Sequence, residues 1–391
     1  MGSVTVGRKA TASTCWPTED QELLLRAALL DGPLAIPAWE RWQQSVDFEA
    51  IDRHSQQVLP LLYHNLNKLG IDGPLIERSK GYYRLTWYKN QLLFHRMAGV
   101  LHALHQAGIP TLLLKGAAMA VYYYRNAALR PMEDFDVLVP VDQATAAFDL
   151  VRHCGFEPKV PTPAPHGWDL VDAAGKQLDL HRFAFHYART PDIDDTFWES
   201  ALACTIDHAA THVLQPTDQL LHICARAFCA PGGSIRWIAD ALWLLTAFAV
   251  DIDWQRLLAE ATKRRVMLQL NEAMSYLATR FAAPVPTVVL ATLAQRRLSF
   301  QEYAAYASAL HGDLSHAQSV HVWVNYCVEK VGFSASSGLE FLHYLRERWS
   351  APTLWQLPAS GAAKAMRKLG RILAFRPGAH RPRSRPVDGS A

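Results

Sequence analysis

The sequence predicts an α+β protein: a small mixed β-sheet over residues 109–200, flanked by N-terminal and C-terminal helical regions. Three observations carry this expectation. Apolar residues recur at helical spacing on both sides of the middle of the chain. Between Ile109 and Phe185 the period changes to short apolar runs alternating with helical stretches. Half of the residues are hydrophobic and only 19% are charged, so the 391-residue chain can build well-formed cores.

Taken in order, residues 1–15 are polar, lack an apolar signal core, and are expected to be disordered. A helical region follows over 16–108. Asp20–Leu30, Ile51–Leu69 (stopped by Gly70) and Glu77–Gln106 (ending at Gly108) all carry apolar positions at helical spacing. The sheet region opens with a buried strand at Thr111–Leu114, then a helix at Ala117–Arg125 and a strand at Phe135–Val139. Pro140 ends that strand, Asp142 is expected to cap a helix over Gln143–Cys154, and Gly155 closes it. Trp168–Val171 and Gln177–Phe183 flank Asp172-Ala173-Ala174-Gly175-Lys176, which reads as a hairpin turn. Helical spacing returns for a domain over 201–350. Thr217-Asp218 is expected to cap a helix through Cys229, and Asp253 to cap Trp254–Arg265. Residues 351–391 hold a basic helix at Ala362–Phe375 and an Arg- and Pro-rich tail expected to be disordered.

The bulk numbers exclude more than they identify. A formal charge of +3 is too small to argue for nucleic acid or for a membrane, and it supplies no basic stripe, so a nucleic-acid partner is not expected. The longest uncharged apolar run, Ala241–Val250, is half of what a membrane span needs. Six scattered cysteines without a CxxC pair read as buried thiols of a reducing compartment, so a cytoplasmic location is expected. His208 and His212 would lie one helical turn apart, but the zinc-protease glutamate is missing between them.

The informative residues are Lys115-Gly116, Asp134-Phe135-Asp136 and Asp179-Leu180-His181. On a strand, Asp134 and Asp136 project together while Phe135 points to the core. Asp179 sits between Leu178 and Leu180, facing away from the core, and His181 shares its face. Asp134 and Asp136 could be a solvated strand edge, yet the following Val137-Leu138-Val139 marks an interior strand, where unpaired carboxylates are costly. Converging carboxylates are made tolerable by a divalent cation. Lys115 and Gly116 end a strand where a helix begins, a place that offers backbone N–H groups to phosphate.

These residues resemble a known family. The run Leu112–Ala118, then Tyr122-Tyr123, then Arg130–Val139, and later Leu178–His181, is similar to the uncharacterised nucleotidyltransferase family of the DNA polymerase β-like superfamily. Leu59–Tyr63 and Arg236–Asp240 also match. The resemblance spans roughly residues 20–270. One departure stands out: Gly116 is followed by Ala117, and Asp134 lies eighteen residues beyond Gly116, a longer spacing than in the wider superfamily.

The resemblance implies a Mg²⁺-dependent enzyme (two ions, with Mn²⁺ possible) that transfers a nucleoside monophosphate from an NTP such as ATP. The acceptor would be a small molecule or peptide, and pyrophosphate would be released. It casts Asp134, Asp136 and Asp179 as metal ligands and catalytic residues, and Lys115, Gly116, Arg130 and His181 as nucleotide contacts. Two other readings share the site. One is a non-catalytic or partner-dependent nucleotide- or peptide-binding protein of a biosynthetic pathway. The other is phosphoryl or glycosyl transfer from a nucleotide-activated donor.

Overall fold

The computed structural model describes residues 16–160, 164, 166–185, 189–227, 234–295, 302, 306, 335–348 and 351–359. The expected disordered N-terminus, the basic helix at 362–375 and the tail lie outside the described residues. Two compact units are present, Met1–Leu298 with Ala305–Gln318, and Ser299–Ala304 with Ser319–Ala391.

In the first unit, helices α1 (Glu19–Leu29), α2 (Gly32–Ser45), α3 (Arg53–Gln56), α4 (Leu59–Lys68) and α5 (Pro74–Gln106) precede the sheet. Thr18 and Gln21 form a capping box that starts α1, and the Asp52 carboxylate accepts from two amides at the start of α3. The second half of α5 buries Leu93, Phe94, Met97, Leu101 and Leu104 against the sheet.

The sheet has seven strands: β1 (Leu112–Leu113), β2 (Asp134–Leu138), β3 (Phe156–Pro158), β4 (Gly167–Asp172), β5 (Gln177–His181), β6 (Leu202–Ile206) and β7 (Ala209–Val213). Their order is β3-β4-β5-β2-β1-β7-β6, with β2–β5 and β1–β7 parallel and the other pairs antiparallel. The mixed sheet with helices around it is the expected α+β architecture. Phe135, Val137, Leu178 and Leu180 pack on α5 and on α7 (Ala144–His153). By alternation, Asp134, Asp136, Asp179 and His181 share the opposite face. The β4–β5 turn is as expected: the Asp172 carboxylate accepts from the amides of Ala174 and Lys176, and Gly175 takes φ +76°.

Several local expectations fail for identifiable reasons. The chain does not return to helix at residue 200, because β6 and β7 form a hairpin that extends the sheet to Val213. Its turn, Asp207-His208, has both φ values positive (45° and 69°), the conformation of a tight two-residue hairpin turn. His208 is therefore on a turn, and His212 on β7 is bonded to the Thr111 carbonyl at 3.1 Å. The helical spacing of the two histidines was a coincidence of a short alternating strand. Helix α7 is entered through Gln143 with no side-chain cap, so Asp142 does not cap it. The helix expected over 117–125 is a single α-turn, α6 (Lys115–Ala118), continued by a π-turn over Met119–Tyr123.

Helices α8 (Asp195–Glu199), α9 (Pro216–Arg226), α10 (Arg236–Ala247), α11 (Trp254–Lys263), α12 (Met267–Phe281) and α13 (Thr287–Gln295) complete the first unit's described helices. Asp253 caps α11 as expected, accepting from the Arg256 amide at 3.0 Å. Asp218 is no cap: its buried carboxylate takes Arg256 Nε and Nη2 at 2.9 and 2.7 Å, and Gln215 caps α9 instead. In the second unit the described residues include α14 (Ala335–Arg348) and a 3₁₀ turn at Leu354–Gln356. No helix among the described residues is long and apolar enough to cross a membrane.

Candidate active site

The parallel register of β2 and β5 sets Asp136 directly opposite Asp179, Asp134 opposite Gln177 and Leu138 opposite His181. Paired residues on adjacent strands project to the same face, so the register brings two carboxylates together without help from any loop. Asp136 is 2% exposed. The Lys115 ammonium donates to its Oδ1 and lies 3.9 Å from Asp179 Oδ2. His181 Nε2 lies 2.8 Å from the same Asp136 oxygen. With Asp136 ionised, that contact requires a proton on Nε2, which leaves Nδ1 buried with no hydrogen-bond partner among the described residues.

Lys115 is held in a left-handed backbone conformation (φ 47°) where β1 ends, an arrangement that non-glycine residues adopt at constrained sites. Gly116 follows in tight quarters. A Cβ there would sit 3.0 Å from Met132 Cγ, 3.2 Å from Met132 Sδ and 3.6 Å from Arg130 Nη1. Gly167, opposite His181 on β4, is even more confined, since a Cβ would lie 2.2 Å from the Leu180 carbonyl oxygen.

The two carboxyls are driven in opposite directions. Burial works to raise Asp136, but Lys115 and His181 together hold it far below the usual carboxylate range. Asp179 is pushed up to about 7, first by burial and then by the negative charge of Asp136. Burial lowers His181, and it lowers His166, whose ring lies 5.6 Å from that of His181, to about 3. At neutral pH the imidazoles are neutral.

A stability test follows from Asp179. Its folded-state value lies above the unfolded one, so the folded chain binds the extra proton and Asp179 costs stability increasingly as pH rises from about 4 to about 7. With a chelator present, Asp179→Asn should therefore gain stability relative to wild type across that window and keep a constant advantage above it. Thermal melts of both proteins at intervals from pH 4 to pH 8 check this; parallel curves would contradict the raised carboxyl.

The remaining site residues from the sequence separate into two groups. Asp134 shares the face and its charge reaches Asp179, but it is not one of the donors that converge closely. Those are Asp136, Asp179 and His181, whose ligand atoms all lie within 4.8 Å of one another. Two carboxylate oxygens and an imidazole nitrogen suit a divalent cation, and the Lys115 ammonium against Asp136 shows that the spot favours positive charge.

Arg130 lies behind the Gly116 turn and is 8% exposed. Its Nε donates to both oxygens of Asp240 (3.0 and 2.9 Å), Nη2 lies 2.9 Å from Oδ2, and Nη1 donates to the Pro131 carbonyl at 3.0 Å. Arg236 donates to that same carbonyl at 2.6 Å, and the Tyr124 hydroxyl to Asp240 at 3.1 Å. The guanidinium is thus directed at a carboxylate of α10 and fixes the loop that leads into Asp134.

Glu133 is exposed and paired with Arg53. Tyr123 donates to the Leu214 carbonyl, so it and Tyr124 are core residues. Trp237 is buried against Trp16 and Tyr276. Sequence reasoning singled out neither His166 nor Asp169 as a site residue. Asp169 pairs directly with Asp179; the alternation of Trp168, Leu170 and Asp172 was the available signal.

The chain is distantly similar to solved structures. The solution structure of the antibiotic-resistance factor ANT(2'')-Ia is similar over 48% of this chain and 96% of its own, with 13% identity and a TM-score of 0.32. An antigenic nucleotidyltransferase-like protein from Paracoccidioides brasiliensis is similar over 51% of this chain and 96% of its own, with 14% identity and a TM-score of 0.35. No curated protein matches the chain. The family model described as uncharacterised nucleotidyltransferase matches residues 51–282, a stretch that holds every residue of the site. The chain belongs to the uncharacterised nucleotidyltransferase family.

Proposed function

We propose that the protein transfers a nucleoside monophosphate from an NTP, with Mg²⁺, to a hydroxyl-bearing small molecule or peptide, releasing pyrophosphate. The observation that carries this reading is the direct β2–β5 pairing of Asp136 with Asp179, within a chain that belongs to a nucleotidyltransferase family. Asp134, Asp136 and Asp179 would hold two divalent ions (Mn²⁺ serving in place of Mg²⁺), with His181 keeping Asp136 oriented. When bound, the metal neutralises the triphosphate and makes the acceptor hydroxyl more acidic.

The chain's own residues do the rest. Lys115 and the Gly116 turn, on the β1 side of Asp136, neutralise the β- and γ-phosphates. Arg130, fixed on Asp240, positions the loop that presents Asp134, which gives it a supporting role where direct nucleotide contact was expected. Asp179 lies on the other side of Asp136, next to the incoming acceptor, where its carboxylate can take the hydroxyl proton. The acceptor oxygen then forms its bond to the α-phosphorus as the bond to the β-phosphate oxygen breaks, in line. Soluble cytoplasmic action on a biosynthetic intermediate fits this chemistry.

Calorimetric titration of the four NTPs, with and without Mg²⁺, tests the reading. Wild type should bind at least one NTP in a Mg²⁺-dependent way, and Asp134→Asn/Asp136→Asn should lose at least about 10-fold in affinity. Absence of NTP binding by folded wild type would overturn it in favour of a partner-dependent binding protein.

A further inference from the structure

We propose that Arg226, with His222 and His166 beside it, forms an anion-binding subsite on the β5 side of Asp136 and Asp179, and that this subsite receives a carboxylate or phosphate group carried by the acceptor. The inference rests on the transferase reading above and names its acceptor class.

Helix α9 places His222 and Arg226 four residues apart, on one face. His222 is 1% exposed, its Nε2 lies 3.2 Å from the Ala184 carbonyl just beyond β5, and its ring meets Phe185 edge-on at 5.3 Å. Arg226 is close enough for its charge to act on His166, His181 and His222 together. The Lys115 charge acts on the same three histidines, and Arg189 also acts on His166.

Among the described residues Arg226 has no ion pair with an acid, whereas three other inward-facing arginines do. Arg130 has Asp240, Arg256 has Asp218, and Arg264 has Asp194 and Glu260. Among the described residues, Arg226 Nη1 and His222 Nδ1 are buried with no hydrogen-bond partner. A buried donor left unmatched costs free energy, more so on a charged group, and a bound anion supplies the missing acceptor.

Strand order assigns the anion to the acceptor. The Lys115–Gly116 turn leaves β1 on one side of β2, whereas His181 is on β5 and His166 precedes β4, on the other side. A triphosphate seated on the turn lies on the β1 side, and a group held by Arg226 and these histidines lies on the side of Asp179, where the acceptor must enter.

The test uses the full chain saturated with Mg²⁺ and α,β-methylene-ATP (or the analogue of whichever NTP binds), titrated calorimetrically with inorganic phosphate and, separately, with acetate. Wild type should bind one of these anions. Arg226→Gln should weaken that binding at least about 10-fold, and Arg226→Lys by less, while both variants hold the nucleotide analogue within about 2-fold of wild type. Phosphate binding alone indicates a phosphorylated acceptor; acetate binding as well indicates a carboxylate. The proposal is overturned if neither anion binds the loaded wild type, or if Arg226→Gln leaves anion affinity unchanged. Loss of the analogue itself in Arg226→Gln would reassign the arginine to the triphosphate and leave the transferase reading standing. Failure of wild type to bind any analogue would remove that reading, and the acceptor assignment with it.

Discussion

Asp240→Ala is expected to lower folding stability by about 3–5 kcal/mol, the cost of leaving a buried charge without its partner. Asp240 receives Arg130 through two nitrogens and the Tyr124 hydroxyl, and all three groups are buried. With the carboxylate gone, the guanidinium of Arg130 would keep only the Pro131 carbonyl. Asp240→Asn, which preserves shape and one acceptor oxygen, should lose less. Denaturant unfolding of the full chain measures both. A loss below about 1 kcal/mol for the alanine variant would place the pair among ordinary surface ion pairs. Because the same network fixes the loop before Asp134, weaker Mg²⁺-dependent nucleotide binding should accompany the loss of stability.

Asp136→Asn should reduce turnover by about 10³-fold or more while leaving the fold intact. The amide can still accept from His181 Nε2, and Lys115, partly exposed, has Asp179 3.9 Å away as an alternative partner. The folded structure therefore survives, whereas a neutral amide cannot hold the charge of a divalent cation. Pyrophosphate release from the NTP selected by calorimetry, measured with a panel of hydroxyl compounds, reads the effect, with near-ultraviolet circular dichroism as the control for folding. A fully active variant would end the assignment of Asp136 to the reaction centre.

Both predictions turn on partners of very different sequence separation, and that difference decides what could be read in advance. Asp134 and Asp136 are two residues apart on one strand, so their common face follows from the pleat. Asp179 and His181 follow the same rule on β5. The short apolar runs around them marked both strands, and the register that joins Asp136 to Asp179 is the one that buries Phe135, Val137, Leu178 and Leu180 together. Arg130 was legible as a residue of the site region, but its target was not. Asp240 stands on α10, 110 residues later, and a guanidinium with five donors accepts any carboxylate that the fold brings within reach.

The β6–β7 hairpin was missed for a related reason. Five-residue strands that mix Ala, Thr, Cys and His carry little periodicity, and the turn Asp207-His208 has no glycine to announce its positive φ values. Likewise, nothing local distinguishes a helix from the α-turn and π-turn over Lys115–Tyr123, where Gly116 packs tightly on Met132.

By itself the sequence determined the alternation of helices and strands around the middle of the chain, the shared face of the aspartates and the family, because each depends on neighbours within a few residues or on a motif written in a row. Only the tertiary structure decided which cation meets which acid. It set Lys115 and His181 on Asp136, turned Arg130 to Asp240, and gave Arg226 no carboxylate among the described residues, since charges pair according to distance in the folded chain and burial determines how much each pairing is worth.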